Sequence, residues 1–223
     1  MKILVFDTCF NKSYIVLKDN DKIIANLNIE SSDSNYHSAY LIPSMRDILR
    51  KNNLQIKDLD AIGVNIGPGS FTGIRAGITI ARVLAQQTNI KLVGVTSLKI
   101  LSKINKQSGK TIVVLDARKN KVYFAKYENN KEVISPILVD KEELILKLKE
   151  EAIIITDKSI SQFLTENNIS SILYEENDSE LGIFLSDIVS EELNTNIDDF
   201  NWAKVKPMYI QKPSITKPKE MIK

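Results

Sequence analysis

The side chains able to do chemistry are few and scattered. Asp7 closes the apolar run Ile3-Leu4-Val5-Phe6, and Asp116 closes Ile112-Val113-Val114-Leu115. A carboxylate at the C-terminal end of a strand is placed to hold a metal-bound phosphate through water. Aspartate is equally a common turn former, and neither residue has a second carboxylate nearby in sequence. His37 is the single histidine, which leaves one candidate general base and excludes a multi-histidine metal site. It lacks an orienting carboxylate in sequence, so a packing or interface role competes with a catalytic one. Cys9, the single cysteine, could be a nucleophile, but no local signature accompanies it and a small buried residue is the default. One cysteine excludes an intramolecular disulfide and fits a reducing compartment. No set of base and orienter emerges, so no catalytic residue and no metal ligand is assigned.

The one concentrated feature is the run 65–77, Asn-Ile-Gly-Pro-Gly-Ser-Phe-Thr-Gly-Ile-Arg-Ala-Gly, which holds four of the eight glycines. Gly67-Pro68-Gly69 suits a tight turn. Residues 71–87 read as a helix, and Gly73, Gly77, Ala81 and Ala85 recur along one ridge of it. A mid-helix glycine costs roughly 1 kcal/mol against alanine, so something must pack close to that ridge. The run is not a P-loop, because no lysine follows a Gly-x4-Gly frame, and Thr72 stands where a dinucleotide fingerprint needs glycine. Two readings stay open. One is an anion site at a helix N-terminus, with Asp7, Thr8, Gly69, Ser70 and Arg75 as phosphate or nucleotide contacts. The other is a turn followed by a nearly bare helix side that lets another subunit approach. Arg75 and Arg82 could bind phosphate or a partner's carboxylates, or face solvent.

The elements that must position these residues follow from periodicity. Runs 2–6, 13–17 and 22–30 read as strands with short spacings, an antiparallel meander. Residues 36–51 carry Leu41, Ile42, Met45, Ile48 and Leu49 at helical spacing, with Pro43 near the first turn. A strand at 60–66 feeds the glycine turn, and another at 91–95 follows the second helix. The second half repeats the theme: helix 97–106; strands 110–116, 121–127 and 131–139; helix 140–150 with Asp140 as N-cap and Glu143 in the capping-box position; then strand, helix, strand, helix from 152 to 193. The expected organisation is an N-terminal lobe over 1–97, a C-terminal lobe over 98–197 and an irregular tail from 198 to 223. Phe200, Trp202 and Tyr209 in that tail either dock on the first lobe or lie exposed. Lys and Arg total 30 against 28 Asp and Glu, which gives no electrostatic case for a large nucleic-acid surface. No run is long enough for a spanning helix or a signal peptide, so a soluble, cytoplasmic protein is expected.

Several blocks closely resemble the bacterial YeaZ-like (TsaB) family of tRNA threonylcarbamoyladenosine biosynthesis. The most specific is Ile66-Gly67-Pro68-Gly69-Ser70-Phe71-Thr72-Gly73-Ile74-Arg75-Ala76-Gly77. Ile3-Leu4-Val5-Phe6-Asp7-Thr8 is similar to the family's opening strand. His37 with Leu41 and Pro43 matches its first helix, Val93-Gly94-Val95-Thr96-Ser97-Leu98 the strand before its second lobe, and Asp116-Ala117-Arg118 with Val122-Tyr123 its second-lobe hairpin. Pro207-Met208-Tyr209-Ile210 resembles its C-terminal block, with Gln211 in place of the usual arginine.

The resemblance implies an α/β, two-lobed actin/Hsp70/sugar-kinase-like fold, with mixed sheets flanked by helices. It also implies a non-catalytic scaffold that binds and activates a larger relative, TsaD, beside the ATPase TsaE. That assembly transfers threonylcarbamoyl to an adenosine next to the tRNA anticodon. The two first-lobe helices would carry the partner interface, through His37, Leu41, Met45, Ile48, Gly73, Ile74, Gly77 and Ala81. The same surface could pair with a second copy when the chain is alone. No cofactor of its own is expected; ATP with Mg²⁺ would sit at the complex interface, and tRNA is the substrate of the complex. A free-standing nucleotide-dependent kinase or ATPase, resting on Asp7, the glycine turn and Asp116, is the competing reading. A peptidase acting on its partner has little support in the sequence.

Overall fold

The structure is a computed structural model that describes residues 1–30, 37–195 and 200–211, without the side chains of 37–39. Its first half is β1 (Lys2–Asp7), β2 (Lys12–Asp19), β3 (Lys22–Glu30), α1 (His37–Lys51), β4 (Ala61–Asn65), α2 (Phe71–Thr88) and β5 (Lys91–Val95). The second half is α3 (Ser97–Ser102), β6 (Lys110–Asp116), β7 (Lys121–Glu128), β8 (Lys131–Asp140), α4 (Lys141–Lys147), β9 (Ile153–Thr156), α5 (Lys158–Glu166), β10 (Ile172–Leu173) and α6 (Leu181–Thr195).

The two halves have the same sheet. The first is ordered β3-β2-β1-β4-β5 and the second β10-β9-β6-β7-β8. In each, the opening strand pairs antiparallel with the next strand on one side and parallel with the fourth on the other. The fold is therefore the two-lobed, actin/Hsp70/sugar-kinase-like architecture that the resemblance implies. The duplication lies in topology; the sequences of the halves do not repeat.

Side-chain alternation along the strands sets the layers. In β1, Leu4 and Phe6 face α1 and α2, while Ile3 and Val5 face α3, α6 and the inner side of the second sheet. Ile112 and Val114 of β6 turn the other way, toward α4 and α5. The order is helices, sheet, helices, sheet, helices. α6 comes last in sequence yet packs across β1, β2, β4 and β5 of the first sheet. Two glycines permit this. A Cβ on Gly182 would meet the Val16 side chain at 2.8 Å, and one on Gly63 would meet Val189 at 2.5 Å.

The helix boundaries follow local chemistry. Ser70 caps α2, its Oγ accepting from Gly73 N at 3.2 Å, and Asn89 ends it in the left-handed region at φ 55°. The capping box expected at α4 does not form: Asp140 sits at the N-cap position without a side-chain cap bond, and its carboxylate pairs with Lys121 Nζ at 2.5 Å. Residues 200–211 strap the free edge of the first sheet. Leu92 N donates to Phe200 O, and Met208 N donates to Ile66 O at 2.8 Å.

Leu185 sits fully buried on α6 in the layer between the sheets. Leu185→Ala should lower the free energy of unfolding in urea by about 3 kcal/mol through lost burial and the residual cavity. A change under about 1 kcal/mol would mean that α6 does not hold the lobes together.

Candidate functional site

The glycine turn begins with a buried polar relay. Asp7, at the end of β1, is 1% exposed. Its Oδ1 accepts from Cys9 N at 2.6 Å and its Oδ2 accepts from Asn65 Nδ2 at 2.8 Å. Asn65 Oδ1 in turn accepts from Gly67 N at 2.8 Å and from the Ser97 hydroxyl at 3.0 Å. The relay ties β1, β4, the turn and the start of α3 to one another. Gly67 adopts φ 93°, and the Gly67–Pro68 peptide is cis. Burial pushes the Asp7 carboxyl up from 3.8 to about 6, against the hydrogen bonds from Asn65 and Cys9 that lower it. The neighbouring Cys9 thiol is raised well above its ordinary range by burial and then by the charge on Asp7.

The small-residue ridge of α2 faces inward. A Cβ on Gly73 would lie 1.8 Å from the Thr8 carbonyl oxygen, and one on Gly77 would lie 2.7 Å from Thr8 Oγ1. Thr8 Oγ1 donates to Gly73 O at 2.6 Å. A Cβ on Gly69 would lie 2.5 Å from the Cys9 carbonyl oxygen. What packs closely on the ridge is thus the chain's own first strand end, which corrects the expectation that Gly73 and Gly77 make room for another subunit. Leu41, Met45, Ile48, Ile74 and Ala81, placed by sequence at the interface, are buried in the same core. His37 begins α1, and its side chain lies outside the described residues.

The residues proposed to contact phosphate are already engaged. Asp7, Thr8 and Ser70 make the bonds just given, and the missing Cβ of Gly69 is taken up by Cys9. Arg75 points out, its guanidinium 3.8 Å from the centre of the Phe71 ring and its Nε donating to the Tyr209 hydroxyl at 2.8 Å. A phosphate at Asp7 would have to compete with the relay, and one at Ser70 with the cap of α2, so these engaged residues are not set up to receive that group. Asp116, the counterpart of Asp7 in the second sheet, is exposed, with Oδ1 accepting from Arg118 N.

What the site presents to solvent is the outer side of α1 and α2. Phe71, Thr72, Arg75, Ala76, Thr79 and Ile80 line a shallow groove of about 500 Å³. Ile42 is 56% exposed, Val83 51% and Tyr40 56% on the same two helices. The tail contributes Tyr209, its ring 5.5 Å from Phe71, and Trp202, which lies under Arg82. Arg82 is therefore stacked on the tail, not simply solvated. The sequence patterns assign no role to Asn65 or Ser97. An amide at the end of an apolar strand, directly before a glycine turn, was the available signal for Asn65.

A family model described as "TsaD: tRNA N6-adenosine threonylcarbamoyltransferase" matches residues 24–174. The "tRNA threonylcarbamoyladenosine biosynthesis protein TsaB" of Escherichia coli is 31% identical over 58% of this chain and 56% of that protein. The protein of that name in Bacillus subtilis is 31% identical over 65% of this chain and 63% of its own length. The match thus spans little more than half of these relatives. Among solved structures, YeaZ from Pseudomonas aeruginosa superposes with a TM-score of 0.69 at 17% identity, covering 93% of this chain and 99% of that one. A second Pseudomonas aeruginosa structure, described as similar to peptidase YeaZ, gives 0.74 at 18% identity over 94% and 99%. These two show the fold.

The buried Asp7 makes a pH prediction. Its folded value lies above the unfolded one, so the folded chain holds this proton more tightly. The contribution to stability is full below about pH 4 and is lost as the pH rises to about 6. The unfolding free energy of the wild type minus that of Asp7→Asn should fall by roughly 2–3 kcal/mol across that window and be level above about pH 7. A difference that stays flat from acid to neutral pH contradicts the burial argument.

Proposed function

The chain belongs to the TsaD family of tRNA N6-adenosine threonylcarbamoyltransferases, on its TsaB (YeaZ-like) side, and from that premise we propose that it is a non-catalytic subunit of a tRNA threonylcarbamoyladenosine synthesis complex. In this reading it docks a TsaD homologue through the outer side of α1 and α2, and with a TsaE homologue supports transfer of threonylcarbamoyl to tRNA adenosine. The observation that carries the proposal is the groove along α2, lined in part by exposed Phe71, together with exposed Val83 on the same helix and Tyr40 and Ile42 on α1. Large apolar side chains left outside on two adjacent helices suit the core of an interface, and Arg75 with Tyr209 supplies the Arg-aromatic chemistry typical of its centre.

The inner ridge has a supporting part. Gly73 and Gly77 let α2 lie close on β1 and β4, and the relay through Asp7 and Asn65 fixes the turn that aims it. The helix is thereby held rigid, which limits the ordering cost of association. The engaged Asp7, Thr8 and Ser70, and the single histidine of the sequence, support a scaffold over a nucleotide-dependent enzyme.

Exposed positions give a test that spares the fold. The double variant Ile42→Glu, Val83→Glu should change the unfolding free energy by no more than about 0.5 kcal/mol per site. It should lose co-elution with the TsaD homologue by size-exclusion chromatography with light scattering. Co-elution at wild-type strength would remove this face as the docking surface. The same run on the isolated chain reports whether the surface pairs with a second copy.

A further inference from the structure

A second concavity lies where the strand ends of the two sheets face each other. It has a volume of about 130 Å³, and its walls include Phe10, Asp116, Tyr123, Asp157 and Tyr174, with Gly69 of the glycine turn at one side. This is well below the roughly 300 Å³ where pockets for whole small molecules begin, so it suits one head group. Asp116 ends β6 and Asp157 caps α5. The Asp157 carboxylate accepts from Asp116 N at 2.6 Å and Ile160 N at 2.9 Å, and the Asp116 carboxylate accepts from Arg118 N at 3.0 Å. Neither carboxylate forms an ion pair among the described residues. Asp178, outside the cavity lining, is paired with Lys12.

Two polar groups here lack partners. Tyr174 is 8% exposed and lines the cavity, and its hydroxyl has no hydrogen-bond partner among the described residues. Next to it in sequence, but outside the cavity lining, Glu175 Oε2 is buried with no partner among the described residues. The Tyr174 hydroxyl can accept a hydrogen bond from a donor that enters the cleft. Burial raises the pKa of the Tyr123 hydroxyl, and the charge of nearby Arg118, in the turn between β6 and β7, partly opposes this. Arg118 is one cation against Asp116, Asp157 and Glu175. Aromatic walls with unneutralised carboxylates suit a delocalised or alkylated cation. They disfavour a phosphate, and the carboxylates, being directed at backbone N–H groups, are not arranged as the several converging oxygens a hard divalent ion takes.

We propose that this cleft binds a cationic organic head group, a guanidinium or alkylammonium, between Asp116 and Asp157 and against the Tyr123 and Tyr174 rings. The head group could arrive on a free small molecule or on an arginine or lysine side chain, and the chemistry is shared. This site is separate from the α1 and α2 face and does not depend on the docking proposal.

The test is an amide-NMR titration of the full chain at near-physiological salt. The probes are ethylguanidinium chloride, its neutral analogue ethylurea, and the peptide acetyl-Gly-Arg-Gly-amide. Ethylguanidinium should give saturable shifts, with a Kd in the millimolar range, at the amides of Gly69, Ala117 and Lys158. Ethylurea should give none there. Tyr174→Phe, which keeps the ring, should weaken binding at least threefold, and Asp116→Asn at least tenfold. A peptide that binds ten times more tightly than ethylguanidinium assigns the site to a protein side chain; equal binding assigns it to a small free cation. Absence of saturable shifts in the wild type, or equal shifts from ethylurea, overturns the proposal whatever the variants do.

Discussion

The contact on which the first lobe depends is between α2 and the end of β1, where the Thr8 carbonyl and hydroxyl occupy the space that side chains at 73 and 77 would fill. At this distance α2 can accept the Thr8 hydroxyl on its own Gly73 carbonyl. The turn before it is held by the Asp7–Asn65 relay. Gly77 in the interior of α2 costs about 1 kcal/mol against alanine, and the relay keeps a carboxylate fully buried. Both costs fall on the segment that fixes where the outer side of α2 points.

Much of this was legible. Alternation and helical spacing placed every strand and the long helices within a few residues, because a half-buried sheet and an amphipathic helix leave different periods. The glycine run announced a close approach, since nothing else explains Gly73, Gly77, Ala81 and Ala85 on one ridge. What periodicity cannot give is which neighbour fills the gap. A bare ridge reads the same whether a partner or the chain's own Thr8 lies on it, so the inward direction became visible only with β1 and α2 packed together. Leu41, Met45 and Ile48 were misassigned for the same reason: an apolar stripe is a core stripe first.

The tail and the polar relay were hidden for other reasons. Phe200, Trp202 and Tyr209 sit among polar residues without a period, and their contacts with Leu92, Arg82 and Arg75 span more than a hundred residues. Asn65 and Ser97 meet only because β4 and β5 are neighbours in the sheet. The capping box at α4 fails because Lys121, brought opposite by the pairing of β7 with β8, competes for the Asp140 carboxylate. In each case a long-range pairing decided what a local signal left open.

The inner side of α2 serves the fold, and its outer side is the proposed partner face. The most direct measurement of that division is the thermal unfolding of the isolated Gly73→Ala variant. Its new methyl group would meet the Thr8 carbonyl at 1.8 Å, and overpacking of this kind costs roughly 3 kcal/mol. For a chain of this size the unfolding midpoint should drop by about 6–12 °C with no partner present. An unchanged midpoint, combined with loss of binding to the TsaD homologue, would show that the ridge belongs to the partner after all.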